Sequence, residues 1–327
     1  MRAAIYAGAG GPEVIEFRDV PTPEPGPGQI RVRVAAAGLN RADILQRRGQ
    51  YPAPRGWPPD IPGLEYAGAV DALGPGVTRW HVGDRVMGLV GGGAMAQFVV
   101  VHEGETMAVP DNLTDVEAAA IPEAFLTGWD ALTARGRVAA GERVLLHAVG
   151  SGVGTAAVQI AKHLGAVVLG TSRSATKLAR AREYGLDVGI DTSQTSFRAA
   201  ITEPVQVIID VLGAAALNDN LALLAPRGRL VVLGTLTGTR TEVDLGLLLR
   251  RRLEIIGTAM RTRGLDERVP LVREFARRIL PLFAPASPGA RPVLRPVVGA
   301  TYPMTRLADA QRAMEADETF GKLVMTW

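Results

Sequence analysis

The stretch VLLHAVGSGVGTAAVQIAKHLG, residues 144–165, decides the fold. An apolar run meets a glycine-rich corner and then a pattern of helical period. That order suits a strand feeding a helix whose N-terminus faces an anion. The glycines alternate at Gly150, Gly152 and Gly154, so the usual G-x-G-x-x-G spacing is not met. The chemistry of a phosphate cradle is nevertheless present: Gly150, Ser151, Gly152, Val153 and Gly154 place small or unobstructive residues at a helix start. Alone, such a corner reads equally well as a structural turn.

Its surroundings favour the cradle. AVVLGTS (166–172), VQVIIDVLG (205–213) and RLVVLGT (229–235) are continuous apolar runs, as expected of strands buried on both faces of a parallel sheet. GTAAVQIAKHLG, ATKLARAREYG and AALNDNLALLAPRG are helical patterns between them, and LEIIGTAM (253–260) reads as a further strand. This alternation predicts a doubly wound α/β Rossmann unit over residues 122–259. Gly213, Gly234 and Thr235 end later strands, on the side where such sheets take ligands.

Outward from that unit the rhythm changes. Residues 1–121 hold short strand-like runs (RAAIYA, QIRVRVAAAG, AGAVDAL, DRVMGLV, AQFVVV) cut by Gly/Pro turns, a pattern that predicts an antiparallel barrel. The tail after 260 holds one amphipathic helix, LDERVPLVREFARRILPLF, then short strands and a helix. It is too short for a domain and is expected to complete the first one, so the α/β unit is an insertion.

Composition narrows the function. Of 327 residues, 47% are hydrophobic and 21% charged, which describes a globular chain. No apolar run reaches the roughly 18 residues that span a bilayer, and no signal-peptide pattern opens the chain, so a cytoplasmic protein is expected. With no cysteine and only four histidines, none at metal-ligand spacing, no metal is expected. The arginine run in LLLRRRLEIIG (247–257) has no interleaved aromatics, which argues against nucleic acid. At the end of the second α/β strand an NAD site carries an acid for the ribose hydroxyl. Here Arg173, Ser174 and Lys177 stand instead, a set suited to a 2′-phosphate and hence to NADPH, while Ser174 also reads as a helix N-cap.

AAAGLNRADILQRRGQYPAP (35–54), IPGLEYAGAV (61–70), AAAIPEAFLTGW (118–129), the glycine corner and FGKLVMTW (320–327) together resemble the zinc-independent, zeta-crystallin-like quinone oxidoreductases of the medium-chain dehydrogenase/reductases. The tumour-suppressor-inducible branch is the most similar, and the resemblance runs end to end. It implies a GroES-like β-barrel domain (1–121 and 260–327) carrying the Rossmann domain, with the site in the cleft between them. It explains the odd corner, since a small residue and Ser take two fingerprint positions, here Val149 and Ser151. It also explains the missing metal, for the zinc enzymes of the superfamily place Cys where Asn40 stands and His where Leu64 stands. By the same resemblance Asn40, Tyr51 and Thr127 lie near the nicotinamide and substrate, Lys322 lies near the cofactor, and the protein is a homodimer joined through LEIIGTAM. The implied reaction is hydride transfer from NADPH to a quinone or other electrophilic carbonyl compound. Reduction of a 2-alkenal or enone double bond, and a structural or sensory NADPH-binding role, stand as alternatives. Two departures are visible: Arg173 replaces a family glycine, and Thr192 a frequent tyrosine.

Overall fold

The computed structural model describes residues 1–327, which divide into two compact units, Met1–Leu126 with Met260–Trp327, and Thr127–Ala259.

The first unit opens with a hairpin of strands β1 (Arg2–Tyr6) and β2 (Ile15–Asp19). Strand β3 (Gln29–Leu39) is the longest, and helix α1 (Arg41–Arg47) follows it directly. Strands β4 (Glu65–Leu73), β5 (Arg85–Leu89), β6 (Phe98–His102) and β7 (Thr106–Ala108) lead to the short helix α2 (Asp115–Ala118). Thr114 caps α2 and forms a capping box with Glu117. Helix α3 (Pro122–Asp130) carries the chain into the second unit.

That unit holds six strands: β8 (Arg143–Leu146), β9 (Val167–Ser172), β10 (Val188–Asp191), β11 (Val205–Asp210), β12 (Leu224–Val232) and β13 (Glu254–Gly257). Between them run α4 (Gly152–His163), α5 (Ala175–Arg182), α6 (Phe197–Ala200), α7 (Leu217–Leu223) and α8 (Leu245–Arg251). All strand pairs are parallel, in the order β10-β9-β8-β11-β12-β13, so numbering from the first strand of the sheet gives 3-2-1-4-5-6. This is the doubly wound dinucleotide order, whose crevice opens where the sequence of strands reverses, beside β8 and β11. Leu145, Leu169, Val205, Ile208 and Leu230 fill its core. The helical pattern read over 215–228 is shorter than its period suggests. Strand β12 has already begun at Leu224, because Pro226 lacks an N–H and Arg227 adopts φ 64°, neither of which a helix accepts.

The chain then returns to the first unit with α9 (Leu265–Arg278), β14 (Val298–Pro303), α10 (Leu307–Glu315) and β15 (Lys322–Thr326). Strand β3 organises the seven-stranded sheet. One side pairs with β4; the other pairs with β6 over Gln29–Arg33 and then with β15 over Ala36–Leu39. The pairing is antiparallel except between β14 and β15, which run parallel. Ile30, Val32, Tyr66, Val86, Met95 and Leu323 lie in the core beneath it.

Candidate functional site

The nucleotide corner follows from strand β8. Ala148 takes a left-handed φ of 54° and turns the chain, and Ser151 caps α4 by accepting a hydrogen bond from the Gly154 N–H at 3.0 Å. The N–H groups of Gly152 and Val153, in the first turn, have no intrahelical acceptor and are open to an anion. A Cβ on Gly154 would collide with the Ala148 carbonyl and lie 2.7 Å from Val149 Cα, so close packing against the strand requires glycine there. Val149 is fully buried, and Gly170 on β9 leaves the room it occupies. That is how a valine is tolerated at a fingerprint position. The residues present therefore fit a dinucleotide pyrophosphate.

Ser174 caps α5 through a long bond from the Lys177 N–H (3.4 Å) and is itself oriented by Ser172 Oγ, which accepts its N–H at 3.1 Å. The stem of Lys177 lies across Gly150, where an added Cβ would be 2.8 Å from Lys177 Cδ. The corner and the cationic end of β9 are thus adjoining, with Arg173 exposed beside them. Gly213, at φ 85°, donates its N–H to the Asp210 carboxylate at 3.1 Å, and its Cα packs so closely on Thr235 that a Cβ would sit 2.7 Å from Thr235 Cα. Gly234 stands next to Thr235 and near the Val211 carbonyl. Beneath the corner, buried His147 bonds Thr171 Oγ1 (2.9 Å) and Asn220 Oδ1 (2.8 Å), tying the ends of β8 and β9 to α7. Burial holds its pKa below the usual imidazole range, so it stays neutral.

In the first unit, Asn40 and Lys322 meet in a buried polar network. Lys322 Nζ donates to Leu39 O (3.1 Å), to Asn40 Oδ1 (2.7 Å) and to Glu65 Oε1 in a close ion pair. Asn40 Nδ2 also bonds Glu65 Oε1, at 2.9 Å, and Glu65 Oε2 accepts the Glu123 N–H at 2.8 Å. An ammonium has three donors, and all three are used here. In this arrangement Lys322 holds the ends of β3 and β4 together. Asn40 likewise has protein partners at both ends of its amide.

Tyr51 is placed differently. Its carbonyl accepts a hydrogen bond from Arg261 at 2.9 Å, the Arg261 guanidinium lies 5.1 Å from its ring centroid, and its hydroxyl has no partner. Arg261 also reaches Gly91 O (2.8 Å) and Gln46 Oε1 (2.6 Å), which fixes the loop carrying Tyr51. Burial raises the Tyr51 hydroxyl pKa, with a further push from Glu123. Thr127 lies on α3, and its Oγ1 is buried without a hydrogen bond. Sequence reasoning missed Arg261 and Glu123. Burial pushes the Glu123 carboxyl up to about 7; Glu65 and Asp43 add to the rise, and Lys322 and Arg261 oppose it. Asp43 is raised to about 6 by burial, against bonds from the Asn40 and Gly63 N–H groups.

The alcohol dehydrogenase GroES-like domain matches residues 26–111, and the zinc-binding dehydrogenase domain matches residues 152–277. A quinone oxidoreductase of Pseudomonas aeruginosa is 39% identical over 249 residues, 74% of this chain and 76% of that protein. The chain belongs to the quinone oxidoreductase family of the medium-chain dehydrogenase/reductases. A mycobacterial protein solved in complex with NADPH superposes at a TM-score of 0.84 with 29% identity, over the full length of both chains. The JamJ enoyl reductase superposes at 0.87 with 25% identity, over 99% and 98% of the two chains. The chain also matches polyketide synthases of Streptomyces halstedii and Mycobacterium tuberculosis at 35% and 32% identity, but spans only 5% and 14% of their lengths.

Despite the name of the matched domain, the donor set does not fit zinc. The chain has no cysteine, Glu65 is ion-paired to Lys322, and no three His, Cys, Asp or Glu side chains converge. No helix is long and apolar enough to cross a membrane.

Proposed function

We propose that this protein is a cytoplasmic NADPH-dependent quinone reductase acting without a metal. The observation that carries the reading is the 39% identity to a quinone oxidoreductase over most of both chains. When bound, NADPH supplies a hydride from its nicotinamide ring. The first turn of α4, from Gly152, would hold the pyrophosphate with Gly150, Ser151, Val153 and Gly154 around it. Arg173, Ser174 and Lys177 would receive the 2′-phosphate, since charge-assisted bonds to a dianion are strong and no acid stands there to repel it. Gly213, Gly234 and Thr235 would border the dinucleotide at the ends of β11 and β12. Tyr51 and Thr127 offer unpartnered hydroxyls to the acceptor and the nicotinamide, Tyr51 adding an aromatic face for a planar ring. A quinone is electrophilic enough to need little more than alignment of the two rings and exclusion of water. The second copy of a homodimer would pair with β13, whose outer edge is unpaired and whose Ile255 is 42% exposed.

Reduction of an enal or enone double bond is the second reading, favoured by the likeness to JamJ enoyl reductase. NADPH oxidation at 340 nm with ortho- and para-quinones and with a 2-alkenal, NADH run in parallel, separates the two. Quinone turnover with NADPH preference is expected. Activity on the alkenal alone moves the protein to the alkene reductases, and silence on every acceptor with NADPH still bound leaves a nucleotide-binding role.

A further inference from the structure

A buried polar trio lies beneath the glycine corner of the second unit. His147 and Thr171 are each 3% exposed, and Asn220 is fully buried. The Phe197 ring meets the imidazole edge-on, with centroids 4.8 Å apart. Polar groups at this depth cost stability unless they bond one another, and well-packed apolar side chains would carry no such cost. What the trio adds is a fixed arrangement. Asn220 Oδ1 only accepts, so His147 Nε2 carries the ring proton and donates it at 2.8 Å, while Nδ1 accepts from the Thr171 hydroxyl at 2.9 Å.

That arrangement surrounds a strained residue. Ala148 holds φ 54°, a left-handed conformation that disfavours a residue with a Cβ by about 5- to 30-fold. Such a conformation persists where its surroundings over-determine it. Both neighbours of Ala148 are anchored: His147 donates its N–H to Ile209 O (3.2 Å) and is held by its ring, and Val149 donates its N–H to Thr171 O (3.1 Å). Thr171 therefore grips the chain on either side of Ala148, through its hydroxyl and through its carbonyl. The Ala148 carbonyl in turn accepts the Ser151 N–H at 2.9 Å, and Ser151 caps α4, so the strained residue sets where the first turn of α4 begins. Asn220 brings in α7, whose start is bonded to Gly213 through the Ala216 N–H at 3.0 Å.

We propose that His147 is a positioning residue for the nucleotide: its ring holds Ala148 in the left-handed turn that aims the first N–H groups of α4 at the pyrophosphate. It acts through the backbone of residues 148–153. This role rests on the NADPH-binding reading above, and every residue in it belongs to the second unit. Without the ring bonds the turn relaxes towards ordinary backbone conformations, and the cost of restoring it is subtracted from nucleotide affinity.

The test compares wild type, His147→Phe, Thr171→Val, Ala148→Gly and the double variant His147→Phe/Ala148→Gly. Kd for NADPH and for NADH is read from nucleotide fluorescence, well below each variant's melting transition. His147→Phe keeps an aromatic ring beside Phe197 and loses both bonds. It is expected to weaken NADPH by about 5- to 30-fold, the strain no longer held, and NADH by the same factor, because both carry the pyrophosphate. Thr171→Val drops only the hydroxyl; it should weaken binding in the same direction, and it carries the test if His147→Phe does not fold. Glycine adopts the left-handed turn without steric cost, so in the Ala148→Gly background the effect of His147→Phe should shrink to about threefold or less. A histidine that merely supports the core would show no such rescue. NADPH affinity unchanged in His147→Phe, a loss just as large in the Ala148→Gly background, or a loss confined to NADPH each overturns the role while leaving the NADPH reading intact. A wild type that does not bind NADPH overturns both.

Discussion

Lys322→Met removes one half of a buried ion pair and tests whether that lysine is structural. Glu65 is fully buried and Lys322 is 4% exposed, so neither charge can turn to water when its partner is lost. Breaking such a pair costs about 3–5 kcal/mol, since the remaining charge is left uncompensated. Glu65 would keep two neutral donors, Asn40 Nδ2 at 2.9 Å and the Glu123 N–H at 2.8 Å. That places the loss near the lower figure, about 3 kcal/mol. At roughly 2–4 °C per kcal/mol for a unit of this size, the melting temperature of the first unit should drop by about 6–12 °C. Scanning calorimetry of the apo protein measures it. The double variant Glu65→Gln/Lys322→Met carries no unpaired charge and should regain at least half of the loss. NADPH affinity, measured well below the transition, should change little, because the ammonium has no donor left for a ligand. A drop under about 2 °C, or a double variant no more stable than the single one, would refute the reasoning.

Four further outcomes follow from the geometry. Lys177→Ala should weaken NADPH binding by about 10- to 100-fold, the worth of a charge-assisted hydrogen bond, and leave NADH unchanged in titrations of nucleotide fluorescence. Gly154→Ala forces a Cβ against the Ala148 carbonyl and Val149 Cα, backbone atoms that cannot step aside, and should cost about 1–3 kcal/mol together with nucleotide affinity. Glu123 is raised from 4.5 to about 7, so the folded state holds a proton that the unfolded state releases between those values. Its contribution is full below pH 4.5 and lost as pH rises through 7, by at most about 3 kcal/mol, and Glu123→Gln should flatten that part of the melting-temperature profile. Dialysis against a zinc chelator should leave NADPH oxidation unchanged, with elemental analysis finding no stoichiometric zinc.

The parallel sheet was legible because its strands are buried on both faces, so their sequences are nearly pure apolar runs that no other element imitates. The cap at Ser174 was legible for a related reason, since a hydroxyl just before a helical period has few other uses. What could not be read was partnership across long separations. Lys322 alone in FGKLV looks like a surface lysine; only the pairing of β15 with β3 brings it to Asn40 and Glu65. Glu123 follows a proline at a helix start, where an acid normally complements the helix dipole. Its sequence position carries no sign of the carboxylates of Glu65 and Asp43 whose charges raise its pKa. Arg261 sits just past the return from the inserted unit, and its targets Gln46, Tyr51 and Gly91 lie far back in the chain.

The place of β15 in the sheet has a consequence for synthesis. Residues 127–259 are contiguous, so the Rossmann unit can close as soon as its last strand leaves the ribosome. The first unit cannot, because the upper half of β3 pairs with residues 323–326 and the charge of Glu65 is matched by a lysine 257 positions later. Until then β3 offers a bare edge and Glu65 a lone charge. A nascent chain therefore carries this earlier segment unfinished until residue 322 and those after it are made, with a completed nucleotide-binding unit in between. Chains stalled before residue 322 should be the ones that chaperones and proteases recognise, and NADPH affinity alone would be a poor measure of whether a molecule is whole.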